Sequence, residues 1–233
     1  MTQEVIVSTK ARAMQFIDSF SGRRAFFAVS GILLVFLIIV FVQFFKKTNR
    51  NLYADGLAKF HEKNFDQAVK LFSQALEYSP SDHASRFGLG WAYQAKGWKK
   101  EALQQYETAI KGASDTLMYS AFNAGVIQQE ARQLNEAVRL YLIAEKINPQ
   151  FSSAFLNLGL VYLDLAKNEL ALEQFGRYLQ LDPKSAVGYF DIGIAYERLG
   201  KREEAKKNYK QSLQIDPKNL GALQRLNTLS TTK

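Results

Sequence analysis

The sequence contains no cysteine and only two histidines, His61 and His83, among its 233 residues. The absence of cysteine excludes disulfides, thiol catalysis, thiolate metal sites and a lipidated N-terminal cysteine. Neither histidine has a second ligand at a spacing typical of a metal motif. We therefore predict no metal site and no cofactor.

Patterns typical of enzymes are also missing. Gly88 and Gly90 do not form a phosphate-binding loop, because they fall within an apparent helix and no strand precedes them. Carboxylates and serines are scattered along the chain without a spacing that assembles a catalytic set. We predict that the protein is not an enzyme and has no catalytic residues.

The positive charge of the chain is unevenly distributed. The formal net charge is +8, but residues 1–48 carry six basic and two acidic side chains, which leaves 24 basic and 20 acidic groups in the rest. The basic residues of 201–210 are interrupted by Glu203 and Glu204, and no aromatic residues alternate with a basic block. This pattern favours a solvated helix face, and we predict no nucleic-acid partner.

Proline is scarce, and the four prolines belong to a repeat. The repeat is anchored by alanines separated by 34, 35, 34 and 34 residues, namely Ala68, Ala102, Ala137, Ala171 and Ala205. Each anchor has a glycine twelve residues before it and an aromatic residue four after it. Proline stands twelve residues after every anchor except the second, where Ser114 takes its place. A fixed period of this length predicts a stacked repeat architecture.

Each period predicts a helical hairpin. Apolar residues recur at three and four spacing on both sides of a short polar break, which indicates two amphipathic helices. Glycine inside a helix costs about 1 kcal/mol relative to alanine. We therefore expect the glycine and the anchor alanine to bring two helices close together, with the aromatic side chain wedged beside them. Proline then ends the unit because it cannot continue a helix.

The spacing resembles the tetratricopeptide repeat. The residues that carry the resemblance are Leu89, Gly90, Tyr93, Gly97, Ala102, Tyr106 and Ala109, and then Leu158, Gly159, Tyr162, Ala171, Phe175 and Pro183. The resemblance implies an all-α fold, an α-solenoid of five hairpins over residues 49–219. The predicted hairpins are 49–82, 83–117, 118–151, 152–185 and 186–219. Leucines at every third position predict a C-terminal capping helix within residues 220–233.

An uncharged apolar stretch precedes the repeats. Residues 25–45 lack any charged side chain and are flanked by Arg23, Arg24, Lys46 and Lys47. As a helix this stretch is roughly 31 Å long, against a hydrocarbon core of about 30 Å. We predict a single transmembrane helix that contacts the bilayer, between an N-terminal tail (1–24) and a short linker (46–48).

The distribution of basic residues leaves the predicted topology nearly balanced. Four basic residues lie within twenty positions before the apolar stretch and five lie after it. A short basic tail is hard to translocate, whereas a long folded domain is exported largely regardless of charge. We expect a single-pass protein of a bacterial inner membrane, with its N-terminus in the cytoplasm and its repeats in the periplasm. The alternative places the repeats in the cytoplasm.

The resemblance also implies a partner-binding groove lined by the first helix of each hairpin. The predicted groove residues are Tyr53, Phe60, Phe87, Trp91, Tyr119, Phe122, Asn123, Leu156, Asn157, Leu160, Phe190, Asp191, Ile194 and Glu197. The family often uses asparagine there to bind a peptide backbone, which implies that role for Asn123 and Asn157. The alternative is that apolar members such as Leu160 and Ile194 belong to the core between repeats.

These observations favour a scaffold over a catalyst. We predict an adaptor at a membrane surface that binds an apolar peptide or amphipathic helix and supports assembly or quality control of an envelope complex. One alternative is a structural subunit whose repeats self-associate, so a homo-oligomer is possible. A second alternative is a cytosol-facing organelle receptor.

Overall fold

The computed structural model describes residues 22–112 and 116–231. Within these ranges the chain forms eleven α-helices and no strand. The helices are α1 (Gly22–His61), α2 (Phe65–Tyr78), α3 (His83–Ala95), α4 (Lys99–Ile110), α5 (Leu117–Glu130), α6 (Leu134–Ile147), α7 (Ser152–Asp164), α8 (Asn168–Leu181), α9 (Ala186–Arg198), α10 (Arg202–Ile215) and α11 (Leu220–Thr231). The predicted all-α class is confirmed.

Consecutive helices pack as antiparallel hairpins, and each hairpin packs on the next. The hairpins are α1–α2, α3–α4, α5–α6, α7–α8 and α9–α10, and α11 packs on α10. The first helices of neighbouring hairpins also approach each other, and in the described part of the chain the second helices do not approach as closely. The first helices therefore line the inner face of a curved α-solenoid.

A glycine and an aromatic ring form the contact inside each hairpin. A Cβ atom on Gly56, Gly90, Gly125, Gly159 or Gly193 would lie between 2.4 and 2.8 Å from a ring carbon of the partner helix. The five rings are fully buried and belong to Phe72, Tyr106, Tyr141, Phe175 and Tyr209. Because only glycine leaves room for the ring, the recurring glycines are explained by packing, as predicted.

Polar caps and prolines set the boundaries between hairpins. The side chains of Asp82 and Ser185 accept hydrogen bonds from backbone N–H groups in the first turns of α3 and α9, at 3.2 Å each. Pro80 and Pro183 stand two residues after the last residues of α2 and α8. A proline there prevents the helix from continuing and separates one hairpin from the next.

The turn within each hairpin has one residue in the left-handed region at the same place in the repeat. These residues are Lys63, Gly97, Arg132, Ala166 and Gly200, with φ between 56° and 77°. Glycine adopts this conformation freely, whereas an L-residue with a Cβ atom is strained there. The turn geometry is therefore shared by all hairpins even where glycine is absent.

The membrane prediction is wrong on the structure. In the ranges 22–112 and 116–231, no helix is both long and apolar enough to cross a membrane. The apolar stretch predicted as a separate span (25–45) is not a separate helix, because α1 continues without a break through the predicted linker (46–48) to His61. Its C-terminal part carries Lys59 and His61 and packs against α2. The predicted location in a bacterial inner membrane, which depended on this span, is therefore also wrong.

The structure describes only part of the predicted N-terminal tail and C-terminal segment. Residues 1–21 of the predicted N-terminal tail and residues 232–233 lie outside the described residues. At the C-terminal end, α11 buries Ala222 beside Ala205 and Tyr209 of α10. The last described helix thus covers part of the final hairpin.

Candidate partner-binding face

The inner face carries a continuous row of aromatic side chains, which we call the aromatic row. Its members come from α1, α3, α5 and the residue that precedes α7. They are Phe60, Trp91, Phe87, Tyr119, Phe151 and Phe122. The row connects four successive hairpins.

The rings of the aromatic row contact each other in sequence. The Phe60 and Trp91 ring centroids are 4.0 Å apart and nearly parallel, and Phe87 lies 6.0 Å from Trp91. Tyr119 is 6.1 Å from Phe87 and 5.8 Å from Phe151. Aromatic pairs at these distances gain about 0.5–1.5 kcal/mol beyond their buried area. The row is therefore a preorganised surface rather than a set of independent side chains.

The predicted groove residues differ in exposure. Tyr119 is 48% exposed, and Asp191 is 5% exposed. The others are half-buried, namely Tyr53, Phe60, Phe87, Trp91, Phe122, Asn123, Leu156, Asn157, Leu160, Phe190, Ile194 and Glu197. Leu156, Leu160 and Ile194 pack against a buried core cluster. These apolar residues thus form the outer edge of the core and part of the surface at the same time.

Four of the predicted aromatic residues also support the hairpins from the inner side. Each stands three residues before a wedge glycine, with its ring centroid 5.7–5.9 Å from the buried ring of the same hairpin. These residues are Tyr53, Phe87, Phe122 and Phe190. Trp91 is different, because among the described residues its ring contacts only the rings of Phe60 and Phe87. Trp91 is therefore the member of the row least occupied by packing within a hairpin.

Polar side chains satisfy the hydroxyl groups of the buried tyrosines. The Tyr141 hydroxyl donates to Gln129 Oε1 at 2.8 Å, and Asn157 Nδ2 of the next hairpin donates to that hydroxyl at 3.5 Å. Tyr106 has the same arrangement, with Gln94 at 2.8 Å and Asn123 at 3.3 Å. Burial raises the pKa of both tyrosines, so the hydroxyls remain neutral donors. Asn123 and Asn157, expected to bind a guest backbone, thus already hold a tyrosine.

The corresponding position in α9 is occupied by Asp191. Asp191 follows Phe175 by the same sixteen residues that separate Asn157 from Tyr141. Phenylalanine has no hydroxyl, and the Asp191 Oδ2 atom is buried without a hydrogen-bond partner in the described ranges. Burial raises the pKa of the Asp191 carboxyl to about 7. The face therefore contains an unpaired acid at its C-terminal end.

The carboxylates on either side of Asp191 are paired. Glu197 accepts a hydrogen bond from the Tyr209 hydroxyl at 2.6 Å and pairs with Arg225 of α11 at 2.9 Å. Asp164 pairs with Arg132 at 2.8 Å. Arg225 stands sixteen residues after Tyr209 and so continues the series of Asn157 and Asp191. The rings of the aromatic row thus lie toward α1, α3 and α5, and these ionisable groups lie toward α7, α9 and α11.

Two residues of this face were missed from the sequence. Phe151 precedes α7 and lies outside the helical register, and its only signal is an aromatic residue shortly after Pro149. Arg225 was missed because α11 was interpreted only as a cap. Its spacing from Tyr209 was the signal that would have found it. In the described ranges, no group of three or more potential ligands is arranged to hold a metal ion.

Family models place this geometry among known proteins. Models described as "Tetratricopeptide repeat" match residues 53–116, 122–186 and 186–219, which together exceed half of the chain. The chain belongs to the tetratricopeptide-repeat (TPR) family. The resemblance inferred from the spacing of glycine, alanine and proline is thereby confirmed, and the chain is a TPR protein-interaction scaffold.

Two curated relatives share the TPR region. Human protein O-mannosyl-transferase TMTC3 is 30% identical over 151 residues, which cover 58% of this chain and 16% of TMTC3. The type IV pilus assembly protein PilF of Pseudomonas aeruginosa is 32% identical over 130 residues, which cover 54% of this chain and 51% of PilF. The chain therefore matches about half or less of the length of these relatives.

Solved TPR structures have the same fold. YrrB, described as a TPR protein with an unusual peptide-binding site, superposes with a TM-score of 0.68 at 21% identity, covering 77% of this chain and 96% of YrrB. MamA superposes with a TM-score of 0.66 at 23% identity, covering 74% of this chain and 94% of MamA. At these identities the likeness concerns the TPR solenoid and not the site.

Proposed function

We propose that this TPR protein binds a segment of a partner protein along its inner face and thereby supports assembly of a protein complex. The aromatic row is the observation that carries the proposal. A contiguous set of half-exposed aromatic residues is typical of partner sites, because large rings bury much apolar area with little loss of side-chain entropy.

The geometry of the row favours an apolar or amphipathic guest. The row crosses four hairpins, so an elongated segment contacts more of it than a compact surface does. An amphipathic helix or an extended apolar peptide satisfies this requirement. PilF, whose name assigns it to type IV pilus assembly, supports this class of function by similarity.

We also propose that the protein acts without catalysis. The inner face offers aromatic rings, two asparagines engaged by tyrosines, paired carboxylates and the unpaired Asp191. Among the described residues of this face, the one hydroxyl beside a carboxylate, that of Tyr209 at Glu197, has a pKa raised by burial and is therefore a poor nucleophile. The similarity to TMTC3 falls on 16% of that enzyme and supports no transfer of its activity. Binding of a partner therefore remains the activity that the site favours.

Site-specific photocrosslinking in intact cells tests the proposal. A photoreactive phenylalanine analogue at Tyr119, which is 48% exposed in the row, should capture a defined partner. The same analogue at Leu142, 43% exposed on the second helix α6, is the matched control and should not. Equal capture from both positions would contradict the proposal.

A tryptophan pair provides the second control. Trp91→Ala should reduce capture from Tyr119 by more than about tenfold, because central aromatic anchors contribute about 2 kcal/mol or more to binding. Trp98→Ala should leave capture unchanged, since Trp98 is 47% exposed in the turn and stacks on Tyr93 away from the row. Both variants should keep wild-type helical circular dichroism.

Self-association is the alternative that one observation favours. Leu220 is 76% exposed on α11, and Leu223 of the same helix is also exposed. An exposed apolar end face is suited to contact with another copy. Sedimentation of the wild-type chain and of a Leu220→Glu variant distinguishes the two functions, because a scaffold that binds a different protein stays monomeric in both cases.

A further inference from the structure

The residue two positions before the wedge glycine has a repeated role on the inner face. In α5 and α7 it is asparagine, and Asn123 and Asn157 each donate a hydrogen bond to the tyrosine hydroxyl of the preceding hairpin. In α9 it is Asp191, and the residue in the tyrosine position is Phe175. Asp191 therefore lacks the internal partner that its register equivalents have.

No other group in the described ranges replaces that partner. Asp191 has no hydrogen bond or ion pair, and its Oδ2 atom is buried. The neighbouring acids of the face, Asp164 and Glu197, are already paired with arginines at 2.8 and 2.9 Å. Burying an unpaired carboxylate is unfavourable, and a cation that pairs with it reduces this penalty. Of these three acids, Asp191 is thus the one whose carboxylate is unpaired and would be stabilised by an external cation.

We infer that Asp191 is a specificity-determining residue that receives a lysine or arginine side chain of the bound segment. The inference rests on the proposed binding function of the inner face. A cationic side chain forms a charge-assisted hydrogen bond with the carboxylate, which is about twice as strong as a neutral one. The guest would then present apolar residues to the aromatic row and one basic residue to α9.

Tryptophan fluorescence of the full chain provides a direct assay. The chain has two tryptophans, so a Trp98→Phe background leaves Trp91 in the aromatic row as the sole reporter. The probes are pairs of short amphipathic peptides that differ at one position, lysine in one and norleucine in the other. Moving this position along the peptide series locates the contact with Asp191. We expect lysine to bind about tenfold more tightly than norleucine at one position.

Three variants in the same background test the assignment. Asp191→Asn should reduce the lysine preference to less than about twofold. Asp164→Asn is the matched control on the same face, and it should retain the preference because that acid is already paired. Phe175→Tyr keeps the carboxylate but supplies the missing hydroxyl, so it should weaken the preference as well.

The outcomes separate the two proposals. An unchanged lysine preference in Asp191→Asn, or an equal loss in Asp164→Asn, would overturn the role of Asp191. Peptide binding without any lysine preference would overturn this inference and leave the proposed function standing. If no peptide of the series changes Trp91 emission or binds by calorimetry, the proposed function fails and the inference with it.

Discussion

The unpaired acid on α9 should make the protein less stable as the pH rises. Burial raises the pKa of Asp191 from the ordinary 3.8 to about 7. Between these values the folded chain holds a proton that the unfolded chain releases, so the free energy of unfolding falls as pH increases. The loss should begin near pH 4, proceed through pH 7 and then level off.

The size of this effect follows from the same two pKa values. A pKa difference of about three corresponds to about 4 kcal/mol in the free energy of unfolding, at about 1.4 kcal/mol for a pKa difference of one. This is an upper limit, since relaxation around an ionised carboxylate lowers the cost. Asp191→Asn removes the charge but leaves a buried amide whose unsatisfied groups cost about 1–3 kcal/mol. We therefore expect Asp191→Asn to be about 1–3 kcal/mol more stable than wild type at pH 8.

Urea unfolding monitored by circular dichroism, repeated from about pH 4 to pH 8, measures this difference. The difference in the free energy of unfolding, Asp191→Asn minus wild type, should be largest at high pH. It should fall through zero toward pH 4, where the wild-type carboxyl is protonated and the unsatisfied amide leaves the variant less stable. Asp164→Asn serves as the control and should differ by less than about 1 kcal/mol, because it removes an exposed ion pair. A gap that is independent of pH, or that widens as the pH falls, would refute the burial of an unpaired carboxylate.

The remaining predictions concern packing and turns. Gly159→Ala should destabilise the fold by about 1–3 kcal/mol, since its Cβ would lie 2.4 Å from the Phe175 ring. Gly176→Ala, the control, has open space around its Cβ and should stabilise α8 by about 0.5–1 kcal/mol. Equal effects of the two variants in chemical denaturation would contradict the glycine–ring contact. Ala166→Gly should relieve the positive φ of 56° and stabilise by up to about 1 kcal/mol in thermal unfolding, while Ala131→Gly at the end of α5 should not. Tyr141→Phe should destabilise the fold by about 1–3 kcal/mol, because Gln129 loses the hydroxyl that donates to it. The double variant Tyr141→Phe/Gln129→Leu should recover part of this loss, and recovery of none of it would argue against the pairing.

The hairpin packing was predictable from the sequence because it depends on local spacing. Gly193 and Ala205 are twelve residues apart, and the equivalent pair recurs in every hairpin. A close contact that only glycine and alanine permit leaves a regular mark on the chain. The ring of Tyr209 beside them follows from the same spacing.

The polar partners of the buried rings could be predicted from the sequence only in part. Gln129 stands twelve residues before Tyr141, and at the same spacing Leu163 stands before Phe175. The sequence therefore has an amide where the ring carries a hydroxyl and an apolar residue where it does not. The missing partner of Asp191 depends on a contact between hairpins and on burial. Neither quantity can be obtained from spacing alone.

The membrane prediction failed because it relied on local composition alone. The apolar composition of residues 25–45 was treated as an isolated helix with ends at the flanking basic residues. Helix boundaries depend on the chain that follows, and here Lys46 and Lys47 did not end the helix, which runs on to His61. The length and character of α1 as one element could not be predicted from its apolar part.

The hydroxyl pairs between hairpins have a consequence for changes in the number of repeats. Every hairpin is held together by the same contact between a wedge glycine and a ring, so we expect removal of one whole hairpin to preserve the solenoid. The polar contacts, in contrast, depend on which hairpin comes next. Deletion of residues 152–185 would place Tyr141 sixteen residues before Asp191, so that the acid gains an internal donor. We expect a shortened chain of this kind to keep its fold but to lose the unpaired carboxylate that would bind a cation. The order of the repeats, and not only their number, would then determine which segment the face binds.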